Sequence, residues 1–221
     1  MSDLQELYAN RFSEEAEARK NRLWVEICRY LRKFIPADAG TVVDVAAGYC
    51  DFINNIGIGK KKFALDLNPD VQKHAVPGVE VLVGDVEESM GRRFAEGAVS
   101  LFFMSNFLEH ISKDKISSLM RMEYRLLEKG GCMLILTPNI KYVGGKYWDF
   151  FDHITPITDK ALVEEAESIG FRTERVVERF LPFTTKSALP QAPWIVRLYL
   201  ALMPLSGRVF GEQSLLLFVK P

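Results

Sequence analysis

The feature that most constrains this chain is a short β-branched run that ends in small residues and then turns acidic: Thr41-Val42-Val43-Asp44-Val45-Ala46-Ala47-Gly48-Tyr49-Cys50-Asp51-Phe52. Thr41, Val42, Val43 and Val45 read as a buried parallel strand, since a strand covered on both faces needs a near-continuous apolar run. Ala46, Ala47 and Gly48 then make a turn that lets a ligand approach the backbone closely. A second apolar run, Phe63-Ala64-Leu65, ends in Asp66. An acidic residue about 20 positions after such a turn is where nucleotide-binding α/β folds place a carboxylate to accept bonds from ribose hydroxyls.

The alternation continues along the chain. Further strands are expected at 79–83, 99–104, 132–136, 171–181 and 214–219. A helix over 113–129 carries Ile116, Leu119, Met120, Tyr124 and Leu127 on one face, and Gly130-Gly131 should stop it. Thr158 should cap a helix that ends at Gly170. Asn68-Pro69 supplies an N-cap and a first-turn proline, which would leave Asp66 free for a ligand. Asp85, with Glu88 three residues on, looks like a capping pair opening a helix. At the N-terminus, Trp24, Ile27, Cys28, Leu31 and Phe34 recur at helical spacing before Pro36, and this segment should cover one edge of the sheet. The expectation is an α/β three-layer sandwich around a mostly parallel sheet, one domain over residues 1–221.

Bulk properties narrow the function. A length of 221 residues suits one sizeable α/β domain. The net charge of −1 offers no basic surface for nucleic acid. Three cysteines, Cys28, Cys50 and Cys132, lack metal-ligand spacing, and an odd count argues against a disulfide framework. The polar, acidic start Met-Ser-Asp-Leu-Gln-Glu is unlike a signal peptide, and no apolar stretch reaches the roughly 20 residues that span a bilayer. These features lead to an expected cytoplasmic location.

A dinucleotide would place its pyrophosphate at the turn and want three glycines there. Asp51 would repel it, and suits a ligand carrying an ammonium group and no phosphate. On these residues the chain resembles the class I S-adenosylmethionine-dependent methyltransferases. Their first motif, Asp-x-Gly-x-Gly-x-Gly, is matched by Asp44 to Cys50, with Ala46 and Cys50 replacing two glycines. The run Leu-Glu-His-Ile at 108–111 is similar to their fourth motif. So are the glycine pair, strand and Thr-Pro-Asn within 119–139, and the Ala166 to Phe171 helix ending. The resemblance covers roughly residues 40–181 and the final strand. It implies a seven-stranded Rossmann-like sheet with the last strand antiparallel, and S-adenosyl-L-methionine as cofactor. It implies cofactor contacts from Asp44, Ala46, Gly48 and Tyr49 at the turn, Asp66 and Leu67 at the ribose, Asp85 and Val86 near the adenine, and Ser105 and Asn106 near the methionine part. N-terminal helices within 1–36 would form a lid, with Tyr8, Phe12 and Arg22 as its reaching residues.

Methyl transfer to a hydroxyl benefits from a base whose pKa lies near working pH, and histidine fits. Of three histidines, His153 is the first choice as base and His110 the second, while His74 is expected at the surface. No metal is expected: a site from His110, His153 and Asp149 or Asp152 has no supporting spacing. Cys50 has no activating base beside it in sequence. The loop from Tyr142 to His153 is rich in aromatics, which suits an acceptor with apolar or sugar-ring faces. The segment 184–212 lies outside the resemblance and contains a very apolar stretch at 193–203. As one helix that stretch would be about 16 Å long, half a bilayer's hydrocarbon thickness. It therefore suits core packing, a homodimer interface, an acceptor-site wall or a peripheral membrane contact through 193–205. The expected reaction is methyl transfer to a small-molecule or glycan acceptor, a lipid-linked glycan included, at a hydroxyl oxygen. Two alternatives stand beside it: a non-catalytic binding or regulatory subunit on the same fold, kept open by Ala46 and Cys50, and a nicotinamide-dependent enzyme, opposed by Asp51 and the missing glycines.

Overall fold

The computed structural model describes residues 14–183 and 192–221, so Tyr8, Phe12 and the first part of the 184–212 segment lie outside the described residues. The chain opens with α1 (Glu14–Leu31), followed by β1 (Thr41–Val45), α2 (Asp51–Asn55), β2 (Lys61–Asp66), α3 (Val71–His74), β3 (Val79–Val83) and α4 (Val86–Arg93). β4 (Val99–Ser105) leads through a single 3-10 turn at Leu108–His110 to α5 (Lys113–Leu126) and β5 (Leu127–Pro138). Then come α6 (Ile140–Val143), a 3-10 segment Gly144–Asp149, α7 (Asp159–Ile169), β6 (Arg172–Val177), α8 (Pro193–Ala201), α9 (Leu205–Phe210) and β7 (Gln213–Val219).

Among the described residues the seven strands form one sheet in the order β3-β2-β1-β4-β5-β7-β6. The first five are mutually parallel, and β7 runs antiparallel between β5 and β6. The order reverses at β1, where the chain moves from β3 back past β1 to β4. Open α/β sheets bind ligands at the carboxyl ends of the strands beside such a switch point.

The side-chain period of two divides the central strands between two apolar layers. Phe103, Leu134 and Leu217 face α1 and α2, together with Trp24, Cys28, Leu31, Phe52 and Ile53. Phe102, Met104, Met133 and Leu216 face α4, α5 and α7, with Met90, Leu119, Met120 and Leu162. The Phe103 ring stacks on Phe52 at 3.7 Å between centroids and takes the edge of Trp24 at 6.0 Å. α1 is thereby part of the core layer over the central strands, where a cover along one sheet edge was expected.

Four local expectations change. The helix expected over 113–129 ends at Leu126, because Leu127 already pairs with Val99 in the sheet. Gly130 and Gly131 then serve an irregularity inside β5: Gly130 takes φ +79°, and a Cβ on Gly131 would stand 2.9 Å from the Glu128 carbonyl oxygen. The sixth strand is Arg172–Val177, shorter than 171–181. Asn68 is not a helix cap; its Oδ1 accepts from the Asp70 amide two residues on, and α3 begins only at Val71. The 193–203 stretch is a shorter helix, α8, with a second helix, α9, behind it. α8 lies on α1, where Arg197 forks onto buried Glu26 (Nε–Oε2 3.0 Å, Nη2–Oε1 2.7 Å). The Arg197 hydrogen bonds hold the Glu26 carboxyl below its usual range against the effect of burial. The segment outside the resemblance is thus joined to the N-terminal helix.

Candidate active site

The turn after β1 puts Ala46, Gly48 and Cys50 all in the left-handed region, at φ 56°, 51° and 57°. L-residues with a Cβ enter that region at a cost of about 1–2 kcal/mol, which is why glycine suits these three alternate positions. The turn is fixed by Ala47 N–H donating to the Leu65 carbonyl (2.9 Å) and Cys50 N–H to the Ala47 carbonyl (2.8 Å). A Cβ built on Gly48 would meet nothing within 4 Å, so the space above the turn is open.

Asp66 closes the turn from β2. Its Oδ2 accepts from the Gly48 amide at 2.7 Å and its Oδ1 from the Asn68 amide at 2.8 Å. The expectation that Asp66 is left entirely to a ligand therefore changes: it holds the turn, and about two of its four lone-pair sites remain for one. Burial raises its pKa, against the Asn68 and Gly48 bonds. Asp44 sits under the turn, buried, and accepts from the Ile53 amide of α2 at 3.2 Å. Burial pushes its carboxyl well above the usual carboxylate range. Its described contact braces the helix start from below. Tyr49 is half-buried, with the His74 ring at 4.7 Å and Lys20 Nζ at 5.1 Å from its ring. His74 is half-buried there rather than fully at the surface. Asp51, expected to face a ligand's ammonium, takes that of Lys20 from α1 at 2.9 Å. Arg22 on the same helix is exposed.

The remaining cofactor candidates lie along the same rim. Leu67 is exposed, and the Gly84 amide donates to the Asp66 carbonyl (2.9 Å), drawing the ends of β2 and β3 together. Asp85 caps α4, its Oδ1 accepting from Glu87 N (3.0 Å) and Glu88 N (3.1 Å), with Val86 opening the helix. Ser105 ends β4, beside β1 through the pairing of Val45 with Met104, and Asn106 follows at φ 50°. Asp85, Asp66, Gly48 and Ser105 thus line the carboxyl ends of β3, β2, β1 and β4 in sheet order.

Beyond Ser105 the two candidate bases come together. The His110 and His153 rings lie 4.8 Å apart, nearly perpendicular. His110 Nδ1 is 3.1 Å from the Asp152 carbonyl oxygen and 3.4 Å from its Oδ2. His153 is buried, stacked on Phe150 at 5.0 Å and edged by Tyr147 at 4.6 Å. The carboxylate that completes the group is Glu109, which sequence reasoning passed over. Glu109, His110 and His153 each offer a donor atom, all within 4.8 Å of one another. Glu109 is buried, accepts from Thr137 Oγ1 at 3.2 Å, and burial pushes its carboxyl up to about 8. The signal for it was an acid immediately before a histidine in an otherwise apolar run. Its main-chain carbonyl accepts from Ile154 N (2.9 Å) and Thr155 N (3.1 Å), clipping the His153 loop to the end of β4. Asn139, from the Thr-Pro-Asn run, is a buried hub: its amide donates to Asp159 Oδ1 (2.8 Å) and Ser214 Oγ (2.9 Å), and its Oδ1 accepts from Lys141 N. Burial raises the Cys50 and Cys132 thiols to about 12 and Cys28 further, so none is a ready nucleophile.

The chain matches no protein-family model, and no curated protein matches it. Solved structures do. A SAM-dependent methyltransferase from Archaeoglobus fulgidus aligns at TM-score 0.65 and 20% identity, covering 88% of this chain and 93% of that one. A putative methyltransferase from Bacillus halodurans aligns at TM-score 0.63 and 18% identity, covering 88% and 98%. The [4+2]-cyclase SpnF aligns at TM-score 0.61 and 14% identity, covering 89% and 80%. The fold is therefore that of the class I S-adenosylmethionine-dependent methyltransferases, and it also carries other chemistry.

Proposed function

We propose that this chain binds S-adenosyl-L-methionine at the β1 turn and methylates a hydroxyl oxygen of a small-molecule or glycan acceptor. The observation that carries the reading is the adjacency of two features at the carboxyl ends of neighbouring strands: the left-handed turn closed by Asp66, and the Glu109–His110–His153 group. Gly48 leaves open space, and Asp66 keeps lone pairs for ribose hydroxyls. Bound there, S-adenosylmethionine supplies an electrophilic methyl group: an acceptor oxygen pair forms the new C–O bond while the C–S pair stays on sulfur. The chain's residues position the acceptor and take its proton. His110 is the more exposed of the two histidines. Its Nδ1–H donates to the Asp152 carbonyl, which leaves Nε2 as the proton acceptor. His153, deeper and held between aromatic rings, positions His110. This order reverses the ranking expected from sequence.

The acceptor side is apolar. Phe151 is 99% exposed, and Trp148 and Ile154 are exposed beside it. α8 and α9 expose Trp194, Leu198, Leu202, Leu205, Val209 and Phe210. Both surfaces lie at the same end of the sheet, since Phe183 contacts Phe150 and His153, and Lys146 pairs with Glu212. This arrangement supports a lipid-linked acceptor reached from a membrane surface. Among the described residues no helix is long and apolar enough to cross a membrane. The N-terminal segment is proposed as a cofactor lid, because Lys20 of α1 reaches Asp51 and Tyr49. The same contact favours the second reading, a fold retained without methyl transfer, since Lys20 takes the carboxylate expected for the cofactor's ammonium.

Calorimetric titration with S-adenosylmethionine separates them. Micromolar binding, weakened at least about tenfold in Asp66→Ala, supports the first reading. No binding by wild type at millimolar ligand refutes it.

A further inference from the structure

We infer that Glu109, His110 and His153 form a binding site for a divalent transition-metal ion, which would hold and activate the acceptor hydroxyl. The inference deepens the methyl-transfer reading and rests on it for its chemistry, though not for its test.

Three observations carry it. First, two imidazoles and one carboxylate converge with donor atoms all within 4.8 Å of one another, at the rim where the acceptor is expected. Second, the group has the outer contacts that metal ligands use. A ligating histidine donates its other ring N–H to a carbonyl or carboxylate, and a ligating carboxylate is itself hydrogen-bonded. His110 Nδ1 meets the Asp152 carbonyl at 3.1 Å, and Glu109 Oε2 accepts from Thr137. Third, the loop that carries His153 is tied to the segment that carries Glu109 and His110, so that small side-chain movements bring the three donors onto one ion. Ile154 N and Thr155 N donate to the Glu109 carbonyl, and Thr155 Oγ1 donates to the Ile111 carbonyl at 2.6 Å. Tyr147 OH donates to the Thr155 carbonyl. Such bracing brings together segments whose candidate ligands are 43 and 44 positions apart in sequence.

The donor set selects the ion. Two imidazoles and a carboxylate suit Zn²⁺ or Co²⁺ better than Ca²⁺, Mg²⁺ or Mn²⁺, which favour oxygen ligands. Three protein ligands leave positions open for an acceptor oxygen. An acceptor hydroxyl bound there loses its proton to solvent water. Its lone pair then forms the bond to the methyl carbon, and the pair of the broken C–S bond stays on sulfur. In this state His110 is a ligand, and the ion replaces it as the agent that makes the hydroxyl nucleophilic.

The test uses the full chain, stripped with chelator and exchanged into metal-free buffer. Co²⁺ is titrated by visible absorption and Zn²⁺ by competition with a chromophoric chelator. The expected result is one equivalent bound with a micromolar constant, weakened at least about tenfold in Glu109→Gln and in His110→Ala, and unchanged in His74→Ala. Circular dichroism checks that each variant folds, and half-exposed His110 tolerates truncation where buried Glu109 does not. No saturable binding by about 1 mM ion overturns the site, as does equal loss in His74→Ala or no loss in the cluster variants. Titration of the stripped protein with S-adenosylmethionine runs alongside. Cofactor binding without metal binding refutes the ion alone, whereas metal binding without cofactor binding refutes the methyl-transfer reading alone.

Discussion

Glu123 offers a direct test of the electrostatic reasoning applied to this core. It lies on α5 between Met120 and Leu126, on the face that packs into the sheet, and is 0% exposed. Neither carboxylate oxygen has a hydrogen-bond partner among the described residues. Burial raises its pKa well above the ordinary value of 4.5, with no opposing contribution. The folded chain therefore holds Glu123 protonated at pH values where the unfolded chain has released the proton. The unfolded state binds fewer protons, so stability falls as pH rises above 4.5 until pH passes the folded value. One proton is worth about 1.4 kcal/mol per pH unit, so between pH 5.5 and 7.5 this residue removes up to about 2.7 kcal/mol. Glu123→Leu and Glu123→Gln abolish that slope. Leu also relieves the unsatisfied polar atoms, so its advantage over wild type is larger at both pH values. Urea unfolding of the three proteins at pH 5.5 and 7.5 measures it. Asp44 and Glu109, also raised by burial, contribute equally to all three and cancel in the difference. Each variant's gain over wild type should grow between the two pH values, by at most about 2.7 kcal/mol. Wild-type and Gln curves that stay parallel across that range would show that Glu123 is ionised in the fold, and the reasoning would fail.

Other outcomes follow from the same structure. Ala46→Gly should stabilise the chain by about 0.5–1 kcal/mol, because relief of left-handed strain exceeds the entropy glycine adds to the unfolded state; a thermal scan showing a lower midpoint contradicts this. Asn139→Ala removes one hydrogen bond each from Asp159, Ser214 and the Lys141 amide, and should cost about 2–4 kcal/mol in urea unfolding; a loss under 1 kcal/mol would mean that water replaces all three bonds.

Much of the frame was legible in the sequence, for identifiable reasons. Apolar strands buried on both faces announce themselves as continuous runs, as in Val99 to Met104. Thr158 and Gly170 bound their helix because capping is local chemistry. The acid at Asp66 was legible because a parallel strand pair sets its distance from the turn. Gly130-Gly131 misled because a glycine pair permits both a helix end and a strand irregularity. Only the pairing of Leu127 with Val99, a contact across the sheet, decides between them. Likewise Asn68 read as a cap until its own short-range bond to Asp70 took precedence.

The candidate site divides along the same line. The amino-acid order alone determined an α/β sheet with a small-residue turn and an acidic partner, because backbone conformation and strand burial depend on neighbours in sequence. Tertiary structure alone decided that Glu109, rather than Asp149 or Asp152, completes the group with His110 and His153. It alone placed Lys20 on Asp51 and joined α8 to the N-terminal helix through Arg197 and Glu26. Those contacts join residues from 31 to 171 positions apart, and no local pattern records them. Their geometry exists only once the sheet has brought the strand ends together.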